Sequence, residues 1–257
     1  MLEKTNIKEN KKLKIILIVL DLIILCVIPI FKNFYFQDIL FLVFSFLTIF
    51  LISPSKIKSV VVISFIIRIV FVLIDIYLIP LPESRVGSDA AMFEGIAFQW
   101  SQMGLPWLLN NFTSGSFMYS WIIAIIYSFV GRNLFIIQGL NALFGAFVVL
   151  NVYLIGKETW GHREAYLAAV ISTFFPTLIY FSALPFREIP IIWSFTLGVY
   201  FVLLWFKKTK LLDFIAGVLL FVLSLGFHTA MLYLLLALII LVVISLVGGA
   251  RNHSFVS

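Results

Sequence analysis

The sequence predicts an all-α fold: a polytopic membrane helix bundle of about eight transmembrane helices, with juxtamembrane helices on its outer face. Three observations carry this. Hydrophobic residues make up 63% of the 257-residue chain and charged residues only 12%, against roughly 45–50% and 25% in an ordinary soluble domain. The mean hydropathy is +1.14. Apolar runs of spanning length recur along the whole chain, separated by short basic or prolyl turns. A soluble fold of this size could not hide so much apolar surface, so the lipid bilayer is the solvent. The net charge of +6 is then a topology signal and not a nucleic-acid footprint, and no nucleic-acid partner is expected.

Taken in order, the apolar runs fall at about 15–31, 38–53, 58–79, 116–130, 133–156, 164–183, 189–206, 211–226 and 228–247. The first follows a basic stretch (Lys4, Lys8, Lys11, Lys12, Lys14). No small-residue cleavage site comes after it, so it reads as an uncleaved anchor. Cys26 lies inside this run, which excludes an internal disulfide framework. There is no internal repeat and no Pro/Ser-rich linker, so residues 1–257 read as one membrane domain. No Gly-rich phosphate loop, CxxC pair or HExxH motif occurs.

The run from Ser116 to Val130 is the exception. Its 15 residues extend about 22 Å as a helix, short of the ~30 Å hydrocarbon core. Charge decides its fate. If it does not cross, one side of the membrane holds the five N-terminal lysines with Lys56, Lys58, Lys157, Arg163, Lys207, Lys208, Lys210 and Arg251, thirteen in all, while the other holds Lys32, Arg85, Arg132 and Arg187. If it crosses, the downstream signs flip and the bias almost vanishes. The positive-inside rule selects the first arrangement. Ser116–Val130 is therefore expected as a re-entrant or interfacial helix on the outer face. The chain is expected as a multi-pass protein of the cell membrane with both termini cytoplasmic. Three outer loops follow: a long one from about Pro80 to Arg132, a short one from Ala183 to Pro190, and a tight one at Gly226–His228. Abundant Ile, Lys, Phe and Asn fit an AT-rich bacterial genome.

The residues able to carry chemistry gather on that outer side. Within the long loop, Ser88 or Asp89 can cap a helix and Gly104 can stop it. Between them Met92, Phe93, Ile96, Ala97, Trp100 and Met103 give an amphipathic helix lying on the membrane. Asp89 is either that cap or a reactive carboxylate, and the residues alone leave both open. Glu94 lies five residues on and need not share its face. In the short loop Arg187-Glu188 sits between Pro185 and Pro190 against apolar spans. That is costly unless the two pair or bind something; the readings are a helix-ending ion pair, or a phosphate-binding Arg beside a carboxylate that orients it or holds a divalent metal. Arg68 and Asp75 are two turns apart in the third run, about 10 Å along one face, and form an expected intramembrane polar pair, structural or functional. Asp21 reads as structural. His228 opens the last run as an interfacial cap or a ligand. The sequons at Asn111 and Asn252 are short enough to occur by chance.

Several of these segments resemble, in order and spacing, the GT-C superfamily of integral membrane glycosyltransferases. They are Gly87-Ser-Asp89…Phe93…Ala97…Gly104, Tyr119-Ser-Trp121…Gly131-Arg-Asn133, Leu140-Asn141…Gly145…Gly156-Lys…Trp160-Gly161, and Phe175-Pro176…Tyr180-Phe-Ser182…Arg187-Glu188. The nearest group is that of protein O-mannosyltransferases and bacterial lipid-linked sugar transferases. The resemblance covers about residues 58–248, leaving 1–57 as a two-span extension. Relatives of this group run on through further spans, so the resemblance implies a short or truncated member.

By position, the resemblance implies that Asp89 is the catalytic carboxylate of the first outer loop and Glu188 the acidic residue of the second. Arg187 and His228 fall at the donor-phosphate contacts. Two positions depart from the pattern: Phe93 stands where Tyr is common, and His228 where Arg is frequent. The implied reaction moves a sugar from a polyprenyl-phosphate-linked donor to a glycan, lipid or protein acceptor on the outer face. A divalent cation (Mg or Mn) at Glu188 is the cofactor such a site would use. The alternatives are a transporter or flippase of a lipid-linked saccharide, with Arg68 and Asp75 along its path, and a non-catalytic scaffold subunit.

Overall fold

A computed structural model describes residues 2–249; Arg251 and the Asn252 sequon lie outside the described residues. Twelve α-helices follow in order: α1 Leu2–Val27, α2 Phe34–Ile52, α3 Lys58–Leu73, α4 Asp89–Ser101, α5 Leu105–Asn110, α6 Met118–Val130, α7 Leu134–Thr159, α8 His162–Thr173, α9 Pro176–Ser182, α10 Glu188–Lys208, α11 Leu211–Phe227 and α12 Met231–Gly249. A π-helical turn, Ile74–Leu78, extends α3. No strand occurs among the described residues. The chain is an all-α, multi-pass membrane protein. Phe34–Ile52, Lys58–Leu78, Leu134–Thr159 and Glu188–Lys208 are each long and apolar enough to cross a membrane. α8 and α9 make a fifth span if taken as one bent helix. The remaining expected spans fall on α1, on α12 and on the 17-residue α11.

Side-chain bridges fix which helix ends lie together. At one end, Gln37 near the start of α2 donates to Phe31 O and Val130 O (2.6 and 3.0 Å). Asn133, the N-cap of α7, donates to Gln37 Oε1 and Asp38 Oδ1 (3.0 and 2.8 Å). Asp75, past the end of α3, accepts from Gln138 in the first turns of α7 (2.7 Å). At the opposite end, Lys207 on α10 pairs with Glu158 on α7 (3.1 Å). The chain therefore leaves α3 and enters α7 at the same end of the bundle. The helices between them do not carry it across. α6 has 13 residues, about 20 Å of helix. Its start lies against Gly226 at the end of α11 and its last carbonyl receives Gln37. It lies over one end of the bundle, where length and charge had put it, and Gly131 (φ +79°) turns the chain into α7.

α7 is the axis. Inside its apolar stretch 83% of residues are buried, against 22% for α2, which faces lipid along most of its length. Phe41, Phe65, Ala146, Val149 and Tyr153 join the main core around it. The α1–α2 hairpin is tied by Thr48 donating to Asp21 (2.8 Å), the structural use expected of Asp21.

The run 164–183 is bent: α8 and α9 meet at 59°. Pro176 forces extended backbone on the preceding Phe175 (ψ 113°) and then starts α9 at its first position. The bend shortens the climb, so the short loop from Ala183 to Arg187 stays inside the bundle. Asn141 donates to both Leu184 O and Phe186 O (2.6 and 2.8 Å). Asn141 is seven residues into α7, about 10 Å below its first residue. The loop read as an outer surface loop is recessed by that depth.

Candidate functional site

The loop after α3 is anchored before it forms the site. Asp75 is buried and its carboxylate accepts from Leu81 N (2.7 Å), the Ser84 hydroxyl and Gln138 Nε2 (2.7 Å). That nails the loop to α7. The Ser88 hydroxyl donates to Glu83 O and accepts from Ala91 N at 3.3 Å, so Ser88 is the N-cap of α4. Asp89 is its first residue, and it is exposed. Of the two readings left open by the residues, the cap falls to Ser88. No hydrogen bond or ion pair engages the Asp89 carboxylate among the described residues.

α4 lies on α6. Ser120 donates to Phe93 O (2.9 Å) and Tyr127 to Glu94 Oε1 (2.9 Å). Arg132, just past α6, closes a two-point ion pair with Glu94: Nε to Oε1 at 2.9 Å and Nη2 to Oε2 at 2.8 Å. Its guanidinium also lies 4.4 Å from the Phe98 ring centroid. The hydrogen bonds to Glu94 push the Arg132 pKa above its ordinary value, so it is a permanent cation. Its side chain is 51% exposed. A cavity of about 580 Å³ opens here, lined among others by Ser88, Asp89, Glu94, Arg132, Gln138 and Pro185. Of its three charged lining residues Glu94 and Arg132 are paired with each other, and Asp89 has no partner among the described residues.

The second predicted locus lies behind this cavity. The first turn of α4 rests on the recessed loop, with Ala90 packed against Leu184 and Phe186. Arg187 places its guanidinium 5.0 Å from the Phe93 ring centroid, one turn from Asp89. Its Nε is 3.5 Å from Glu188. Arg187 Nε and Nη1, Glu188 Oε2 and Tyr119 Oη are all buried without a hydrogen-bond partner. Arg187 Nε still has Glu188 at ion-pair distance; each of the other three, left unpaired, costs about 1–3 kcal/mol. Burial holds the Tyr119 phenol well above its usual pKa, and the Glu188 charge adds to that; it remains a hydrogen-bond donor.

Asp89 lines this cavity; Glu188 is not among its lining residues, and the loop carrying it is held along α7 by Asn141. Arg68 and Asp75 do not form the pair that their spacing allowed. Arg68 is wholly buried and donates to Ser64 and Ser182, while Asp75 serves the loop, so neither lines a path through the bundle. His228 ends α11 and its Nδ1 accepts from Ala230 N (3.0 Å), outside the cavity lining. The described residues bring together no group of three or more metal-binding side chains. Glu188 offers a cation one carboxylate beside a guanidinium, a poor donor set for Mg or Mn.

Sequence reasoning missed Arg132, Gln138 and Tyr127, and discounted Glu94. Glu94 does turn toward Asp89's cavity, because the first turn of α4 is set by the Ser88 cap and the packing of Phe93 on α6. The available signal was an Arg-Asn pair directly after a short apolar helix, the only cation between Arg85 and Lys157. A family model described as dolichyl-phosphate-mannose-protein mannosyltransferase matches residues 114–255. That span holds Arg132, Gln138, Arg187, Glu188 and His228 and begins downstream of Asp89. No curated protein matches the chain and no solved structure does.

Proposed function

We propose a reaction from one premise: the chain belongs to the dolichyl-phosphate-mannose-protein mannosyltransferase family, and is a membrane glycosyltransferase of the GT-C type. On this reading it transfers a sugar from a polyprenyl-phosphate-linked donor to a hydroxyl acceptor at the cell's outer face. The observation that carries it is the Asp89 carboxylate, freed from capping by Ser88, unpartnered among the described residues and facing a cavity that also holds Arg132. A glycosyl transfer needs a base for the acceptor proton and a cation for the departing phosphate.

In this reaction the acceptor oxygen attacks the anomeric carbon and Asp89 takes its proton. The bond from that carbon to the phosphate oxygen breaks, and the polyprenyl phosphate leaves with the electron pair. Arg132 and Arg187 supply positive charge on two sides of α4's first turn, where an anionic headgroup would lie. Glu94 holds Arg132 by two hydrogen bonds, and a guanidinium fixed in this way loses little freedom when it meets a phosphate. Nucleotide sugars do not reach the outer face, and the chain has no nucleotide-binding motif, which favours a lipid-borne donor. Neither a flippase nor a scaffold role draws support from a particular contact.

The test is direct. The purified full chain in lipid nanodiscs, given polyprenyl-phosphate mannose and a hydroxylated acceptor, is expected to release polyprenyl phosphate in step with glycosylated product. Translocation of the donor without covalent product would replace the enzyme reading with the flippase one.

A further inference from the structure

Arg68 is the largest fully buried side chain in the described protein, and it lies ten residues into α3, about 15 Å along a membrane span. Its guanidinium Nη1 donates to Ser64 O and Oγ (2.9 and 2.5 Å) and its Nε to Ser182 Oγ (3.2 Å). Among the described residues no carboxylate pairs with it, and Nη2 has no partner at all. A guanidinium stays charged in proteins, and a charge held at this depth with neutral partners only is expensive. An apolar side chain of similar volume would pack there at lower cost. What the arginine does that no apolar residue could do is reach α9 with a hydrogen bond. Ser182 is the last residue of α9 and the first support of the recessed loop.

The surroundings are shaped for that reach. Gly145 on α7 faces the junction; a Cβ there would meet both Ser182 Oγ and, at 2.7 Å, Arg68 Nε. One turn nearer the loop, Asn141 on the same helix holds Leu184 O and Phe186 O. The Ser182 hydroxyl in turn donates to Leu178 O at 2.5 Å. The strand of chain from Ser182 to Phe186 is thus hung between two polar posts, Arg68 below and Asn141 beside. The next two residues are Arg187 and Glu188.

We propose that Arg68 is a positioning residue for the donor site: through Ser182 it sets the depth of the Ala183–Phe186 loop and so of the Arg187 guanidinium. The loop geometry stands on the contacts above. The consequence for sugar transfer rests on the reading of the previous subsection.

The experiment keeps those two layers apart. In the full chain with Cys26 replaced by Ser, a single cysteine is placed at Pro185, which is buried on the cavity wall, or at the exposed control Val86. Arg68→Met should raise maleimide labelling at 185 by roughly 5–30-fold, the effect of losing one or two kcal/mol of local restraint, and leave labelling at 86 unchanged. Arg68→Lys should recover part of the protection. Gly145→Ala should reproduce the loosening with every charge in place, which also answers the case in which Arg68→Met fails to fold. Labelling at 185 that is unchanged in both Arg68→Met and Gly145→Ala, or changed equally at 86, overturns the proposal.

For transfer, Arg68→Met is expected to raise the KM for polyprenyl-phosphate mannose with a smaller effect on kcat, and Arg68→Met with Arg187→Gln should be less than additive. A looser loop with unchanged donor KM would leave Arg68 as the post for the loop and remove Arg187 from the donor site, which is a failure of the functional reading alone.

Discussion

On the proposed reaction, replacing Asp89 by Asn separates chemistry from folding, because Ser88 holds the cap and leaves the Asp89 carboxylate outside it. Ser88 Oγ accepts from Ala91 N and donates to Glu83 O, so Ser88→Ala removes the α4 cap and a loop tether. A lost cap costs about 0.5–2 kcal/mol, which for a chain of this size is several degrees of Tm at about 2–4 °C per kcal/mol. Asp89→Asn touches neither bond. It removes a charge favourable to the helix N-terminus, about 0.3–1 kcal/mol at an exposed site, and with it the proton acceptor. Loss of general-base assistance lowers rate by about 10²–10⁴-fold, equal to roughly 2.7–5.4 kcal/mol in the barrier at 1.36 kcal/mol per decade. The expected pattern is therefore crossed: Ser88→Ala melts earlier and still transfers when folded, while Asp89→Asn melts near the parent and transfers poorly. Transfer is read as polyprenyl phosphate released from polyprenyl-phosphate mannose, and stability by thermal denaturation of the same preparation. Asp89→Asn transferring at near the parent rate would refute the base assignment. Asp89→Asn destabilised as much as Ser88→Ala would refute the division of roles.

Glu94→Gln keeps the shape but strips the charge from the Arg132 pair; with Arg132 half exposed the loss is about 1–2 kcal/mol and not the 3–5 of a fully buried pair. It should lower both Tm and transfer, and no change in either would show that Glu94 does not hold Arg132 for the reaction. Glu188→Gln removes the charge beside Arg187 from a carboxylate 40% exposed, so equilibrium binding of the donor lipid should weaken by at most about fivefold; unchanged binding would take Glu188 out of the site. Single cysteines at 86 and 132 should both react with an impermeant maleimide added outside the cell, and one at 157 only after permeabilisation. Labelling at 157 from outside would reverse the proposed orientation, whereas 86 and 132 labelling from opposite sides would break the fold itself.

The helices were legible because their signals are local. Runs of lipid-compatible residues marked α2, α3, α7, α10 and α11 within a few positions, and the shortness of Ser116–Val130 told that it returns to the side it started from. Gly104 and Ser88 bounded α4, though its buried face, with Glu94 inside and Met92 exposed, is not the apolar face expected. The depth of the second loop was not legible. It depends on a 59° bend at Pro176 and on Asn141 reaching two carbonyls 43 and 45 residues away. A single sequence shows the proline, but not that the climb of α9 stops short. The Arg68–Asp75 spacing puts both on one face only of a regular α-helix; the π-turn at Ile74–Leu78 changes the winding where Asp75 sits, and each residue has a partner on another segment.

Arg132 and Arg187 differ in exposure, and in the proposed reaction that difference has chemical sense. Arg132 is half exposed at the rim of the cavity, next to α7's first residues; Arg187 is mostly buried beside a loop held about 10 Å lower. A lipid-borne phosphate enters such a site from the bilayer side and a hydroxyl acceptor from the water side. Asp89 lies at the first turn of α4, whose helix rests on the lower loop through Ala90 and Phe93. In the proposed reaction a base in that place would meet the acceptor while the cations meet the leaving group. The proposed division of roles needs the lower loop to keep its depth, and that ties Arg68, buried with no carboxylate partner among the described residues, to the exposed Asp89.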